Sequence, residues 1–269
     1  MALTDYELTP AARRTLNLFL MIDTSGSMQG EKIAAVNDAV RNVIPIVNGI
    51  GENNPDAEIK IAVMTFDNSI NWLTPQPVET SALQWQDQTA NGMTCLGGAC
   101  EELSHQLSHK NGFLKSASGS YAPVIILLSD GEPTDDFNNG MKCLSENAWF
   151  KHATRIAIAV GNDADISVLS TFTGNPELVF RVHNIEALKT IIKVAVVTSS
   201  MVSSQSSSVS CSSTIPGAAG GASASTGSTP APTKAQLTAD AISEELQGEM
   251  GIDVGDDALM NELDIDEFD

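Results

Sequence analysis

Asp23, Ser25 and Ser27 stand on alternate residues of the stretch DTSGSM, directly behind the apolar run NLFLMI. Three hard oxygen side chains spaced in this way on one tight loop can converge on a hard cation such as Mg²⁺. Two further oxygen donors arise in similar settings: Asp130 follows the apolar run VIILLS, and Thr94 sits beside Gly92, Gly97 and Gly98 in NGMTCLGGA. Two carboxylates and three hydroxyls fall one short of the six oxygens Mg²⁺ prefers, so this set leaves a coordination position open. A plainer explanation stands beside it. Asp, Ser and Gly are ordinary turn and helix N-cap residues, and the cluster could simply close backbone hydrogen bonds. Glu132, Asp135 and Asp136 in GEPTDD raise a third idea, metal-assisted hydrolysis, although a solvated loop and helix cap suits them better.

Chemistry at these positions requires a frame that brings separate loops together. Residues 1–197 alternate short apolar runs with longer amphipathic ones, the pattern of βα units around a mainly parallel sheet. Strands are expected over residues 16–22, 59–66, 123–128, 155–160 and 178–182, with 70–73 pairing back as one antiparallel edge strand. Helices are expected over 32–47, 96–107, 138–151, 166–171 and 185–197. Pro45 threatens the last turn of the first helix, and Gly49 and Gly51 mark its end. In such a doubly wound α/β sheet, ligands bind where loops leave the carboxyl ends of strands whose connections diverge. Asp23 and Asp130 follow strands in this way, and Thr94, in the loop before the helix over 96–107, is expected at the same edge.

From residue 198 the composition changes. The stretch SSQSSSVSCSSTIPGAAGGASASTGSTPAP offers almost nothing to a core and reads as a flexible linker over 198–234. Residues 235–269 are expected to form an acidic, disordered tail that either only solubilises or docks a partner, and in its first part, AQLTADAISEELQGEM, Leu237, Ile242 and Leu246 could line one side of a short docking helix. Residues 1–14 are an N-terminal extension and 15–197 the ordered domain. The linker spans roughly 34 Å as a random coil, against about 42 Å for the width of a compact domain of this size. An acid near the end of the tail is therefore expected to reach the open metal position in the same or a neighbouring molecule.

Composition excludes several functions. A formal charge of −20, with no cluster of Lys or Arg, speaks against nucleic acid. No run approaches the roughly 18 apolar residues of a membrane span, and the first residues lack the order of a signal peptide, so a cytosolic protein is expected. Cys95, Cys100, Cys143 and Cys211 lack metal-site spacing and are expected to be reduced and mostly buried. His105 and His109 share an i, i+4 helical spacing whose better explanation is a solvated helix face. Phosphate loops, nucleophile elbows and dinucleotide fingerprints are missing from the sequence, so an enzyme is not expected.

DxSxS after a first strand, a Gly-rich loop bearing Thr, and a later strand ending in SDG together resemble the von Willebrand factor A domain across residues 15–197. The resemblance implies a Rossmann-like fold and a metal-ion-dependent adhesion site (MIDAS), with hydroxyl ligands from Ser25, Ser27 and Thr94. Asp23 and Asp130 would act directly or through bound water. Mg²⁺ is the implied ion, with Mn²⁺ or Ca²⁺ as substitutes, and the implied partner is a protein presenting an Asp or Glu. NLFLMIDTSGSMQGEKIAAVNDAV and VMTFD are similar in particular to the bacterial TerY-like branch linked to tellurite resistance and stress response, which implies kinase or phosphatase proteins as partners. Met93 departs from the family, where a second Gly commonly precedes the Thr.

Overall fold

The computed structural model describes residues 13–55, 57–114, 119–181, 190–191, 193–194, 197 and 234–250. Seven strands form one sheet: β1 (Arg14–Asp23), β2 (Ala57–Phe66), β3 (Ile70–Trp72), β4 (Val78–Glu79), β5 (Val124–Ser129), β6 (Thr154–Ala159) and β7 (Val179–Arg181). The spatial order is β3-β2-β1-β5-β6-β7, with β4 also on β2. All pairings among β2, β1, β5, β6 and β7 are parallel, whereas β3 and β4 run antiparallel to β2. The expected antiparallel edge is present, and the two-residue β4 extends it.

Central β1 is buried on both faces over its last eight residues, which is why it reads as a nearly continuous apolar run rather than an alternating one. Its alternation still sorts the side chains. Leu16, Leu18, Leu20 and Ile22 enter one core with Val36, Val40, Val43 and Ile126, while Phe19 and Met21 enter another with Leu103, Leu127 and Phe172. The first layer is covered by α1 (Glu31–Asn53); α2 (Leu96–Gln106), α3 (Phe137–Glu146), α4 (Ala148–His152) and α5 (Ile166–Thr173) contribute to the second.

Helix α1 passes through Pro45 and both glycines to Asn53 instead of ending near residue 47. Its late turns remain useful because Val47 is fully buried, and the Arg13 guanidinium donates to the Gly51 and Asn54 carbonyls at the end of the helix. The single helix expected over 138–151 is two. Asn147 breaks it by turning its side-chain oxygen onto the Trp149 and Phe150 amides, an N-cap for α4. His109 lies beyond the end of α2, its Nδ1 3.0 Å from the Leu114 carbonyl and its ring against Trp149, so the two histidines do not share a helix face.

A further helix, α6 (Lys234–Met250), packs on the α1 side of the sheet. Thr238, Ala239 and Ile242 are buried there, Ala239 and Ile242 within the core that holds Ile156, Ile158, Leu178, Ile191 and Val194, and Lys193 reaches Glu245 at 3.3 Å. Ile242 is buried and Leu237 is exposed, so these two residues do not share a buried face. The expected linker, the acidic end after residue 250, its reach to the metal position, and most of the helix over 185–197 lie outside the described residues. No helix among the described residues is long and apolar enough to cross a membrane.

Candidate functional site

The strand order changes direction at β1. The chain leaves β1 through α1 to β2 on one side and later passes through α2 to β5 on the other, so the carboxyl ends of β1 and β5 border a crevice. Asp23 ends β1 and Asp130 follows β5. Their carboxylates are close enough for the charge of Asp130 to act on Asp23.

Asp23 is fully buried and fixed from two sides: Ser129 Oγ donates to Oδ2 at 2.6 Å and the Ser25 amide donates to Oδ1 at 2.8 Å. Burial pushes its carboxyl above the ordinary range, the hydrogen bonds from Ser129 and Ser25 pull back, and Asp130 adds to the rise. The Ser25 and Ser27 hydroxyls lie 3.0 Å apart, Ser25 buried and Ser27 open to solvent. A loop from one strand thus presents a carboxylate and two hydroxyls in a row.

Thr94 arrives on a separate loop that is tied to both others. The Gly26 amide donates to the Gly92 carbonyl at 3.0 Å and the Asn91 amide to that of Thr24 at 2.8 Å, joining the Thr94 loop to the end of β1. On its other side the Thr94 amide donates to Thr134 Oγ1 and its carbonyl accepts the Thr134 amide, both at 3.0 Å, which joins it to the loop after β5. Gly92 adopts φ +81°, and a Cβ there would fall 2.4 Å from the Asn68 side chain, whose oxygen in turn holds the Met93 amide at 2.9 Å. The loop is therefore fixed even with Met93 where a glycine was expected, and Met93 itself projects into solvent.

Asp130 is 2% exposed, yet only one of its side-chain oxygens is engaged: Oδ2 accepts from Lys32 Nζ at 3.2 Å. Oδ1 is buried and has no hydrogen-bond partner among the described residues. An orphaned buried carboxylate oxygen costs free energy, and together with Asp23 and three hydroxyls on interlocked loops it suits a hard divalent ion. Among the described residues no group of three His, Cys, Asp or Glu could hold a metal, so an ion at this site would draw on the hydroxyls as well as the two carboxylates.

The acids after Asp130 are otherwise employed. Asp135 accepts the Gly97 and Gly98 amides at 2.9 and 2.8 Å and so caps α2 from a different loop, and Asp136 caps α3 through the Asn139 amide. Glu132 is exposed. The Asp135 cap was not legible in the sequence, because Asp135 lies nearly forty residues from the helix it caps. Lys32 was missed for the same reason, since on α1 it resembles any solvated lysine; its second contact, with the Asp163 carboxylate at 2.8 Å, is also long-range. Cys95, Cys100 and Cys143 are free thiols, of which only Cys100 is buried; Cys211 is outside the described residues.

The von Willebrand factor type A domain family matches residues 17–194. No curated protein matches the chain. Proximal thread matrix protein 1 from the mussel byssus is similar in structure, with a TM-score of 0.50 and 17% identity over 70% of this chain and 47% of its own. A form of the mussel protein with a zinc-occupied MIDAS motif gives 0.49 and 15% over 69% and 48%, and the ArnB paralogue VWA2 from Sulfolobus acidocaldarius gives 0.49 and 19% over 68% and 46%. The present chain spans about half the length of the mussel protein, and likeness at this identity concerns the fold.

Proposed function

The chain belongs to the von Willebrand factor type A family, and from that premise we propose that it is a metal-dependent protein-interaction module that grips a partner's Asp or Glu. Asp23, Ser25, Ser27, Thr94 and Asp130 are the proposed ligands, and Mg²⁺ the proposed ion, with Mn²⁺ or Ca²⁺ able to replace it. The observation that carries the reading is the buried, unpartnered oxygen of Asp130 beside the fixed Asp23 carboxylate. A divalent ion held there supplies an electrophilic position that a carboxylate oxygen of another protein can take.

The chain's own residues account for the rest. Ser129 and the Ser25 amide keep Asp23 oriented, Thr134 and Gly26 hold the Thr94 loop against its neighbours, and two carboxylates balance a divalent charge without exceeding it. That balance leaves attraction for a third carboxylate from outside. The net charge of −20 adds a condition on the partner, whose surface around its acid must be neutral or basic to approach. The similarity to the TerY-like branch supports a setting in a bacterial cytoplasm, in stress response, with kinase or phosphatase proteins as partners. Turnover is not proposed, because Asp135 and Asp136 serve as helix caps rather than standing free to activate water.

Calorimetric titration of Mg²⁺ and Mn²⁺ into the chain and its Asp23→Ala variant tests the reading, with acetate added in a second series as a surrogate partner. Saturable one-site binding, tightened by acetate and lost in the variant, is expected. Absence of binding to the unaltered chain in both series defeats it.

A further inference from the structure

Lys32 lies in the first turn of α1, where the helix dipole disfavours a positive charge, so the position demands compensating anions. It has two: Asp130 at 3.2 Å and Asp163 at 2.8 Å. The anions differ in kind. Asp130 is 2% exposed at the site, whereas Asp163 is 68% exposed in the loop after β6. Burial weakens the Lys32 ammonium, but its contacts with Asp163 and Asp130 outweigh this and hold it more firmly charged than an ordinary lysine; the same contact holds the Asp163 carboxyl below its usual range.

The backbone accommodates the arrangement. Gly161 adopts φ +91°, and a Cβ there would meet Lys32 Cε at 2.5 Å and Asp163 Oδ1 at 2.6 Å. Only a glycine lets the lysine stem and the Asp163 carboxylate close over this point. Among the described residues Lys32 is the one cation paired with either Asp23 or Asp130.

We propose that Lys32 is the internal counter-ion of the metal site: its ammonium balances Asp130 in the metal-free protein and yields that carboxylate to a divalent ion by resting on Asp163. This inference rests on the metal reading given above. It makes Lys32 a residue that sets metal affinity without being a ligand, since a fixed positive charge one carboxylate away opposes the entry of a second cation. The contact with Asp163 makes the exchange inexpensive because the ammonium keeps an anion throughout. A site so balanced binds its ion weakly until a partner's carboxylate adds to the shell, which couples metal uptake to partner capture.

The test uses the full chain with Lys32→Met, which keeps the stem and removes the charge, together with Asp163→Asn and the double variant. Without metal, in chelator, Lys32→Met is expected to melt lower than the unaltered chain, because Asp130 loses its counter-ion. With Mg²⁺ it is expected to bind on the order of tenfold tighter. Asp163→Asn is expected to bind a few-fold more weakly in the unaltered background and to have no effect on affinity in the Lys32→Met background, where there is no ammonium to hold. Lys32→Gln serves if Lys32→Met does not fold.

The outcomes separate cleanly. Metal binding by the unaltered chain with no tightening in Lys32→Met overturns the counter-ion role and leaves the metal reading standing. Failure of both the unaltered chain and Lys32→Met to bind Mg²⁺ or Mn²⁺ overturns both. An unchanged effect of Asp163→Asn in the double variant shows that Asp163 acts on the ion directly and removes the proposed resting place.

Discussion

The crevice at the carboxyl ends of β1 and β5 and the seam where α6 meets the sheet are built on opposite principles. At the crevice Asp23, Ser25, Thr94, Ser129 and Asp130 are all buried, so polar groups have been taken out of water and held by hydrogen bonds. The upward shift of Asp23 records the cost of that burial, and Asp130 Oδ1 is left without a partner. At the seam Ala239 and Ile242 add apolar surface to a core that Leu178, Ile191 and Val194 already share. One region gives up stability to hold oxygens in place. The other supplies stability and holds nothing out to a ligand, so changes in the two should separate binding from folding.

The sharpest separation comes from Asp130→Ala. Since removal of an outer partner of a metal ligand already costs about 10–100-fold in affinity, loss of a carboxylate ligand is expected to weaken Mg²⁺ binding by at least ~100-fold. The change removes the orphaned Oδ1 but also the Oδ2 contact with Lys32, which keeps Asp163, so the melting temperature is expected to fall only modestly. Calorimetry and thermal melts on one sample read both quantities, and intact binding would break the comparison at its functional end. Ile242→Ala is the mirror experiment. A fully buried Ile truncated to Ala costs about 2–5 kcal/mol, visible as a lower denaturant midpoint, while Mg²⁺ affinity measured well below the transition stays the same. A stability loss well under 1 kcal/mol would mean that α6 does not complete the core.

The same contrast explains what the sequence revealed. The order of elements was legible because each strand and helix carries its own local period, and the crevice was legible because Asp23, Ser25 and Ser27 are compressed into one loop. Residues that act across the fold gave no local signal. Lys32 meets Asp130 and Asp163 from 98 and 131 residues away, Asp135 caps a helix that lies before it in the chain, and β4 is two residues long. Helix α6 was legible as a helix, but the face it buries depends on the groove that receives it. Ile242 met that groove and Leu237 did not.

Asp135 sharpens the comparison at an intermediate scale, because it sits beside the crevice but works as a cap. Asp135→Ala leaves the Gly97 and Gly98 amides at the start of α2 without their acceptor and is expected to cost about 0.5–2 kcal/mol, the range for losing an N-cap. Mg²⁺ affinity should change only a few-fold, since Asp135 is not among the proposed ligands. If affinity instead fell as far as in Asp130→Ala, the boundary drawn here between bracing and ligation would be misplaced. Chemical denaturation and titration of the same variant decide it.

Cys100 carries the smallest expected effect and probes the core side of the same helix. It is fully buried on α2, its Sγ 3.8 Å from Met141 Sδ, and burial pushes its thiol well above the ordinary value of 9.0, with the charges of Asp135 and Glu101 acting in the same direction. Above that value the unfolded chain releases the thiol proton and the folded chain keeps it. The folded state then binds more protons than the unfolded one, so stability must fall as pH rises. Between about pH 8 and 9.5 the loss from this one group comes to about 0.8 kcal/mol, and below the ordinary thiol value it vanishes. Other groups titrate in that range, so the informative quantity is the difference between the unaltered chain and Cys100→Val, whose stability should lack this component of the slope. Equal slopes would show that the folded thiol ionises as readily as the unfolded one, hence that α2 admits solvent on its core side at alkaline pH.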